Sequence, residues 1–259
     1  MFLAIDIGNT HIAAGLFRQQ TLSATWRLSS MPKRTEDETW VLLESICRAN
    51  QFNINEVTGL AVSSVVPDMD PVYKKMANKY LGLDPLFVDY TLNISLKILY
   101  DNPSNVGADR ICNAVAAFEL LNQAVIVVDF GTATTFDIIS DQGEYLGGII
   151  APGIETSAKI LHQQAARLPL VGLSFPASVI GTSTETSMQS GLLFGAVEMI
   201  DGLVRRIHRQ MGENVPVIAT GGLSKLIINR LETIHESEPF LTLKGLYSIY
   251  RQCHTDIKS

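Results

Sequence analysis

Leu3-Ala4-Ile5-Asp6-Ile7-Gly8-Asn9-Thr10 and Val127-Val128-Asp129-Phe130-Gly131-Thr132-Ala133-Thr134 follow one plan. Apolar residues run to an aspartate, one more apolar residue follows, then Gly, then a small polar residue. A second apolar stretch comes at once, Ile12 to Phe17 after the first and Thr135 to Ile139 after the second. Each copy therefore predicts a β-hairpin with a tight turn. Gly has no Cβ, so its backbone can come close to a ligand. Backbone N–H groups and the Thr and Asn side chains can donate to phosphate oxygens. The aspartate can hold a metal ion that bridges those oxygens. One copy alone reads equally well as an ordinary hairpin turn. Two copies, about half a chain apart, predict a duplicated fold that clamps one nucleotide between its halves.

The 259 residues permit one large domain or two of about 100–150 residues each. A hydrophobic share of 46% with 18% charged residues is that of a globular protein with a substantial core. The net charge of −6 argues against a general nucleic-acid surface. Cys47, Cys112 and Cys253 form no C-x-x-C pair, and the histidines show no metal-binding spacing, so buried thiols in a reducing compartment are expected. No apolar run is long enough to span a bilayer. The chain starts on a strand without a basic leader, which predicts a cytoplasmic protein with no membrane partner.

Phe2 to Ile7, Ile12 to Phe17 and Thr21 to Leu28 read as three successive strands. Thr35 opens a helix, with Glu38 completing a capping box. Its stripe of Trp40, Leu43, Ile46 and Cys47 suits a core. A buried strand over Val57 to Val66, a helix over Asp70 to Leu81 and a short strand at Leu86 to Val88 follow. Residues 90–106 are irregular and suit a crossing between halves with a substrate pocket. Gly107 to Leu121 reads as a helix with Ile111, Val115, Phe118 and Leu121 on its apolar face. Ala124 to Asp129, Thr135 to Ile139 and Tyr145 to Ala151 repeat the three-strand pattern. A helix from Pro152-Gly153 to about Gln164 comes next. The longest helix runs over Thr186 to Met211, with Gly212 as its C′ residue. The strand Val215 to Ala219 leads into Thr220-Gly221-Gly222, a turn where Gly221 and Gly222 let a nucleoside approach the backbone. A helix over Leu243 to Tyr250 closes the chain, and the last polar residues are expected to fray. The domain cut is expected at 1–105 and 106–259.

Chemistry narrows to a few side chains. No G-x-x-x-x-G-K-[ST] is present, which rules out a Walker-type loop. Asp6 and Asp129 would flank a metal and phosphates; the alternative is an aspartate that only caps a strand end. Asp109 begins a helix, where the dipole would keep it ionised at a low pKa and able to accept an alcohol's proton. Its alternative is a purely structural first-turn carboxylate. Arg110 could clamp an anion by a bidentate contact, or form a surface salt bridge.

The ordered set Asp6-Ile7-Gly8-Asn9-Thr10, Gly107-Ala108-Asp109-Arg110, Asp129-Phe130-Gly131-Thr132-Ala133-Thr134 and Thr220-Gly221-Gly222 resembles the motifs of type III pantothenate kinase. Thr35-Glu36-Asp37-Glu38, Ser64-Val65-Val66-Pro67, Asn102-Pro103, Gly147-Gly148-Ile149, Pro152-Gly153 and Leu168-Pro169 extend the match over nearly the whole chain. The resemblance implies an α/β fold of the actin-like, sugar-kinase and acetate-kinase superfamily. That is two ribonuclease-H-like domains with mixed sheets and a nucleotide cleft between them. It implies ATP-dependent phosphorylation of pantothenate to 4′-phosphopantothenate, the first step of coenzyme A synthesis. Asp109 corresponds to the proton acceptor. Asp6, Ile7, Gly8, Asn9, Thr10, His11, Ile12 and Ala13, with Thr132, would hold the ATP phosphates. Asp129 would bind a monovalent cation, K⁺ or NH₄⁺; Asp6 and Asp129 would flank the metal and phosphate region, with Mg²⁺ as the divalent cofactor. Tyr100, Gly107, Ala108, Asp109, Arg110 and Thr184 would line the pantothenate site. A homodimer is implied, with the helix near 186–211 as candidate interface. Neither hairpin turn contains a lysine, so bound cations would supply the missing positive charge. Another small-molecule kinase of the superfamily, a phosphatase of the same fold and a non-catalytic nucleotide-binding regulator remain alternatives.

Overall fold

The computed structural model describes residues 1–255, so the fraying expected at the last residues lies outside the described residues. The chain forms two compact units, Met1–Leu120 joined by the chain from Leu241 onward, and Leu121–Phe240.

In the first unit β1 (Phe2–Ile7), β2 (His11–Arg18) and β3 (Thr21–Ser29) form an antiparallel meander. Helix α1 (Glu36–Ala49) then leads to β4 (Gly59–Ser64), and α2 (Asp70–Met76) leads to β5 (Leu86–Phe87). The order is β3-β2-β1-β4-β5, with β4 parallel to β1 and β5 parallel to β4. The geometry follows from the connections: short turns allow only antiparallel neighbours, while helical crossovers return the chain in parallel. The capping box at α1 forms, with Glu38 N–H on Thr35 Oγ1 at 3.3 Å and Thr35 N–H on Glu38 Oε2 at 2.8 Å. The helix expected over Asp70 to Leu81 is α2 continued by a π turn, Ala77–Leu81, and stops at Gly82 with φ of 66°.

Strand β1 is apolar on both faces because helices cover both. Leu3, Ile5 and Ile7 pack with Leu43, Cys47, Tyr73 and Met76 of α1 and α2. The alternate residue Phe2 meets α7 (Leu241–Thr255), its ring centroid 5.2 Å from Tyr247 and 4.7 Å from Tyr250. The period of two along a strand makes this division unavoidable. A short strand β6 (Lys97–Ile98) interrupts the irregular stretch before α3 (Ala108–Leu121).

The second unit repeats the plan. Strands β7 (Val125–Phe130), β8 (Ala133–Ile139) and β9 (Glu144–Pro152) form a meander. After α4 (Ile154–Gln164) and α5 (Thr184–Met211), β10 (Val217–Thr220) pairs in parallel with β7. One turn of helix, α6 (Ser224–Ile227), precedes β11 (Glu236–Ser237), which is parallel to β10. Within the unit the order β9-β8-β7-β10-β11 matches the first, strand for strand. Leu193, Val197, Ile200, Val204 and Ile207 of α5 pack into its core with Ile126, Val128, Phe130 and Ala219. Asp201 of α5 is buried and accepts the Glu232 and Thr233 N–H groups, each at 3.0 Å, which ties down the loop before β11.

A single cut at 105/106 does not coincide with the contacts, which divide at 120/121 and 240/241. The cause is α7, which returns to the first unit and locks onto α3. Thr242 Oγ1 donates to Asn113 Oδ1 at 2.8 Å, and Gly245 lies directly on the Cys112 carbonyl. No helix among the described residues is long and apolar enough to cross a membrane.

Gly245→Ala sets two effects against each other. Helix propensity favours Ala by about 1 kcal/mol. The added methyl, however, overlaps the Cys112 backbone, and such overpacking costs about 1–3 kcal/mol beyond any propensity gain. We expect a lower melting temperature and a lower urea midpoint. An unchanged or raised midpoint would show that α7 can slide off α3 without cost.

Candidate active site

The β1–β2 turn is Gly8-Asn9-Thr10. Gly8 N–H donates to the His11 carbonyl at 3.0 Å, and a Cβ on Gly8 would stand 3.0 Å from that same oxygen. Asn9 is exposed, while Gly8, Thr10, His11 and Ala13 are half-buried. Ile7 and Ile12 are core residues, so they can meet a ligand only through their backbone. An Arg27 guanidinium nitrogen lies 2.8 Å from His11 Nδ1.

Asp6 ends β1 beside Ser63, its partner on the parallel strand β4. Ligands gather at this carboxyl edge of parallel strands, where the strand order reverses. Asp109 sits in the first turn of α3, and the buried Cys112 thiol lies within the field of both carboxylates. Burial chiefly, then the charges of Asp6 and Asp109, push that thiol well above its ordinary range, so Cys112 stays neutral. Gly107 makes the arrangement possible. A Cβ there would stand 2.5 Å from Asp109 Oδ1 and 3.6 Å from Val65. Asp6, Val65, Gly107, Asp109 and Cys112 thus share one neighbourhood of the first unit. Tyr100 is half-buried in the irregular segment of that unit.

The low pKa expected for Asp109 is corrected. Burial pushes its carboxyl up, against the Arg110 N–H, 2.8 Å from Oδ1, and the Arg110 charge, which pull it down. Desolvation outweighs the helix terminus at this half-buried carboxylate. A surface role for Arg110 also falls away, since only 6% of it is exposed.

In the second unit Asp129 closes β7 beside Thr220 of β10, the counterpart of Asp6 beside Ser63. Gly131 N–H donates to the Ala133 carbonyl at 3.1 Å, and Thr132 is exposed at the turn. Gly221 has φ of 87°, and a Cβ on it would overlap the Asp129 carboxylate, so only Gly fits there. Gly222 is exposed beside it. Thr184 is the first residue of α5, capped by Ser183, whose Oγ accepts the Thr186 N–H at 3.2 Å. It stands on an open hollow of about 690 Å³ lined also by Leu168, Gly181, Thr182 and Met188.

Two members of the first cluster carry no signal in a motif search. Cys112 follows Asp109 by three residues, the helical spacing that puts both on one face. Ser63 becomes visible only once β1 and β4 are paired.

A sequence profile described as Type III pantothenate kinase matches residues 2–206. A protein named type III pantothenate kinase from Thermomicrobium roseum is 45% identical over 257 residues, covering 99% of both chains. One of the same name from Desulfatibacillum aliphaticivorans is 46% identical over 251 residues, covering 96% of this chain and 98% of its own. Among solved structures, a ROK family glucokinase from Streptomyces griseus in complex with glucose and AMPPNP aligns with a TM-score of 0.52 at 15% identity, covering 97% of this chain and 99% of its own. A Campylobacter jejuni protein described as a Baf family transcriptional activator aligns with a TM-score of 0.59 at 20% identity, covering 95% and 96%. At such identities the structural likeness is one of fold: two mixed sheets of the kind found in sugar kinases.

The raised carboxyl of Asp109 has a consequence for stability. Its folded pKa lies above the ordinary 3.8, so its favourable contribution is present below 3.8 and is lost as pH rises through the folded value. Asparagine suffers no such loss. Asp109→Asn should therefore melt above the wild type near neutral pH, with the gap closing as the pH falls toward 3.8. Thermal denaturation across this range checks it; a gap independent of pH, or of opposite sign, contradicts the burial argument.

Proposed function

The chain belongs to the type III pantothenate kinase family, and on that premise we propose that it transfers the γ-phosphoryl group of ATP to the 4′-hydroxyl of pantothenate, opening coenzyme A synthesis. The observation that carries the chemistry is the half-buried Asp109 at the start of α3. Burial makes its carboxylate a better proton acceptor than an exposed one, and it shares its neighbourhood with Asp6 at the end of β1.

As the hydroxyl oxygen bonds to the γ-phosphorus, the bond from phosphorus to the β–γ bridging oxygen breaks and ADP leaves. The hydroxyl proton passes to Asp109. Phosphoryl transfer has a loose transition state, so positioning and charge compensation contribute most of the acceleration. Arg110, charged and buried, suits the carboxylate of pantothenate; Tyr100, Gly107 and Ala108 of the same unit complete its contacts there in this reading. The turns Gly8–Thr10 and Gly131–Thr132 hold phosphate oxygens, and Gly221 and Gly222 leave room for the nucleoside.

Cations fit this donor set in a particular way. Among the described residues no three acidic, His or Cys side chains gather into a metal cage. One carboxylate per turn suits an ion that keeps waters and takes its other ligands from the substrate phosphates. Asp6 would serve Mg²⁺, and Asp129 a K⁺ or NH₄⁺ ion; when bound, they supply positive charge that the lysine-free turns do not.

A homodimer belongs to the same proposal, but its surface moves. The apolar stripe of α5 is spent in the unit's own core. The opposite face carries Gly191 and Gly195, exposed and with open space where a Cβ would stand. Helix-interior glycine costs about 1 kcal/mol relative to alanine, which close approach of a partner helix would offset. Ile150, Leu170, Val179 and Ile180 add exposed apolar surface in the same unit. We place the reaction in the cytoplasm, with neither membrane nor nucleic acid as partner.

The test is ADP release from Mg-ATP with and without pantothenate, in potassium and in sodium buffer. Turnover should require pantothenate and potassium, and Asp109→Asn should lower kcat by about 100- to 10,000-fold with folding intact. Phosphate release indifferent to pantothenate would point to a hydrolase or another acceptor. ATP binding without turnover would favour a regulator. For assembly, Gly195→Arg should convert a dimer to a monomer in light scattering; a wild type already monomeric would remove the dimer.

A further inference from the structure

Both turns are held from behind by a hydroxyl far along the chain. Ser30, just past β3 and 2% exposed, donates its Oγ to the Gly8 carbonyl at 2.6 Å and its N–H to the Thr10 carbonyl at 3.1 Å. Thr156, in the first turn of α4, donates its Oγ1 to the Thr132 carbonyl at 2.7 Å. The sequence separations are 22 and 24 residues, so the device recurs with the duplicated fold. Gly153 belongs to the second copy. A Cβ there would overlap the Thr132 carbonyl, so only Gly lets α4 start against the turn.

A trans peptide is planar, and its C=O and N–H point in opposite directions. Fixing the Gly8 carbonyl on the Ser30 side turns the Asn9 N–H to the other side. Fixing the Thr132 carbonyl does the same for Ala133 N–H. Carbonyl oxygens facing a polyphosphate would repel it, whereas oriented N–H dipoles attract it. We infer that Ser30 and Thr156 are positioning residues for the nucleotide: each hydroxyl holds a carbonyl of its turn away from the phosphates and so orients the amides that bind them. Neither residue need touch the ligand. The inference rests on reading these turns as phosphate-binding.

Nucleotide affinity is the direct readout, measured by calorimetric titration of Mg-ATP into the protein without pantothenate. Ser30→Ala and Thr156→Val, the latter nearly equal in volume to threonine, should each weaken Mg-ATP by about tenfold, the usual weight of one lost hydrogen bond. Thr156→Ser, which keeps the hydroxyl and loses the methyl, should stay within about twofold of wild type by the same reasoning. In turnover assays the KM for ATP should rise while the KM for pantothenate at saturating ATP holds. A purely structural hydroxyl would give the opposite pattern, with lower melting temperature and unchanged Mg-ATP affinity, and would overturn the inference. So would a Thr156→Ser variant as weak as Thr156→Val, because packing of the methyl would then be the cause. If the wild type binds Mg-ATP but ignores pantothenate, the proposed acceptor fails while the affinity comparison still decides this point. A wild type that binds no Mg-ATP overturns both.

Discussion

Two parallel strand pairings, β1 with β4 and β7 with β10, govern the rest of each unit. A parallel neighbour requires a long return, so each sheet must carry helical crossovers, and those helices cover its faces. Both central strands therefore become apolar on both sides. Their polar residues are driven to the one place left, the carboxyl edge, where Asp6 meets Ser63 and Asp129 meets Thr220. The opposite neighbour, across the hairpin, is antiparallel, so each central strand has one parallel and one antiparallel partner at this edge. Both Asp-x-Gly turns lie at this edge.

Asp109 shows which of two physical effects prevails. A helix N-terminus stabilises a nearby carboxylate by about 0.3–1 kcal/mol when exposed, and burial can exceed that several-fold. Gly107 lies against the Asp109 carboxylate, and there the effect of burial outweighs that of the helix terminus. The folded protein thus carries a carboxylate it would be more stable without ionising. That strain is what one expects of a group retained for proton transfer rather than for folding. Cys112 contributes by staying neutral. A thiolate there would place a third negative charge beside Asp6 and Asp109.

Local features of this chain were legible in its sequence. The two Asp-x-Gly turns, the capping box at Thr35, the Gly212 terminus and the apolar stripe of α5 each depend on residues within a few positions of one another, and each forms. Features that depend on distant packing were not. Nothing in Leu241 to Thr255 announces that this helix returns to the first sheet; Gly245 and Tyr250 acquire meaning only against Cys112 and Gly59. The pKa of Asp109 and the burial of Arg110 belong to the same class. Periodicity showed that α5 has an apolar face without showing that this face is consumed inside its own unit.

The charge economy of the molecule ties these points together. The chain has 20 basic against 26 acidic residues, and neither turn contains a lysine. An anion site built on mobile side-chain charges is screened by salt and loses rotamer entropy when it closes. A site built on backbone amides avoids both costs but acquires a different weakness. Every peptide that presents an N–H also carries a C=O of equal dipole, and a small rotation of the peptide plane exchanges attraction for repulsion. Such a site works only if the carbonyls are tied down elsewhere. At Gly8 and Thr132 the tie is a hydroxyl more than twenty residues away, from the residue after β3 in one unit and the first turn of α4 in the other. Two different elements thus make the same kind of contact, a hydroxyl on a turn carbonyl, in the two units.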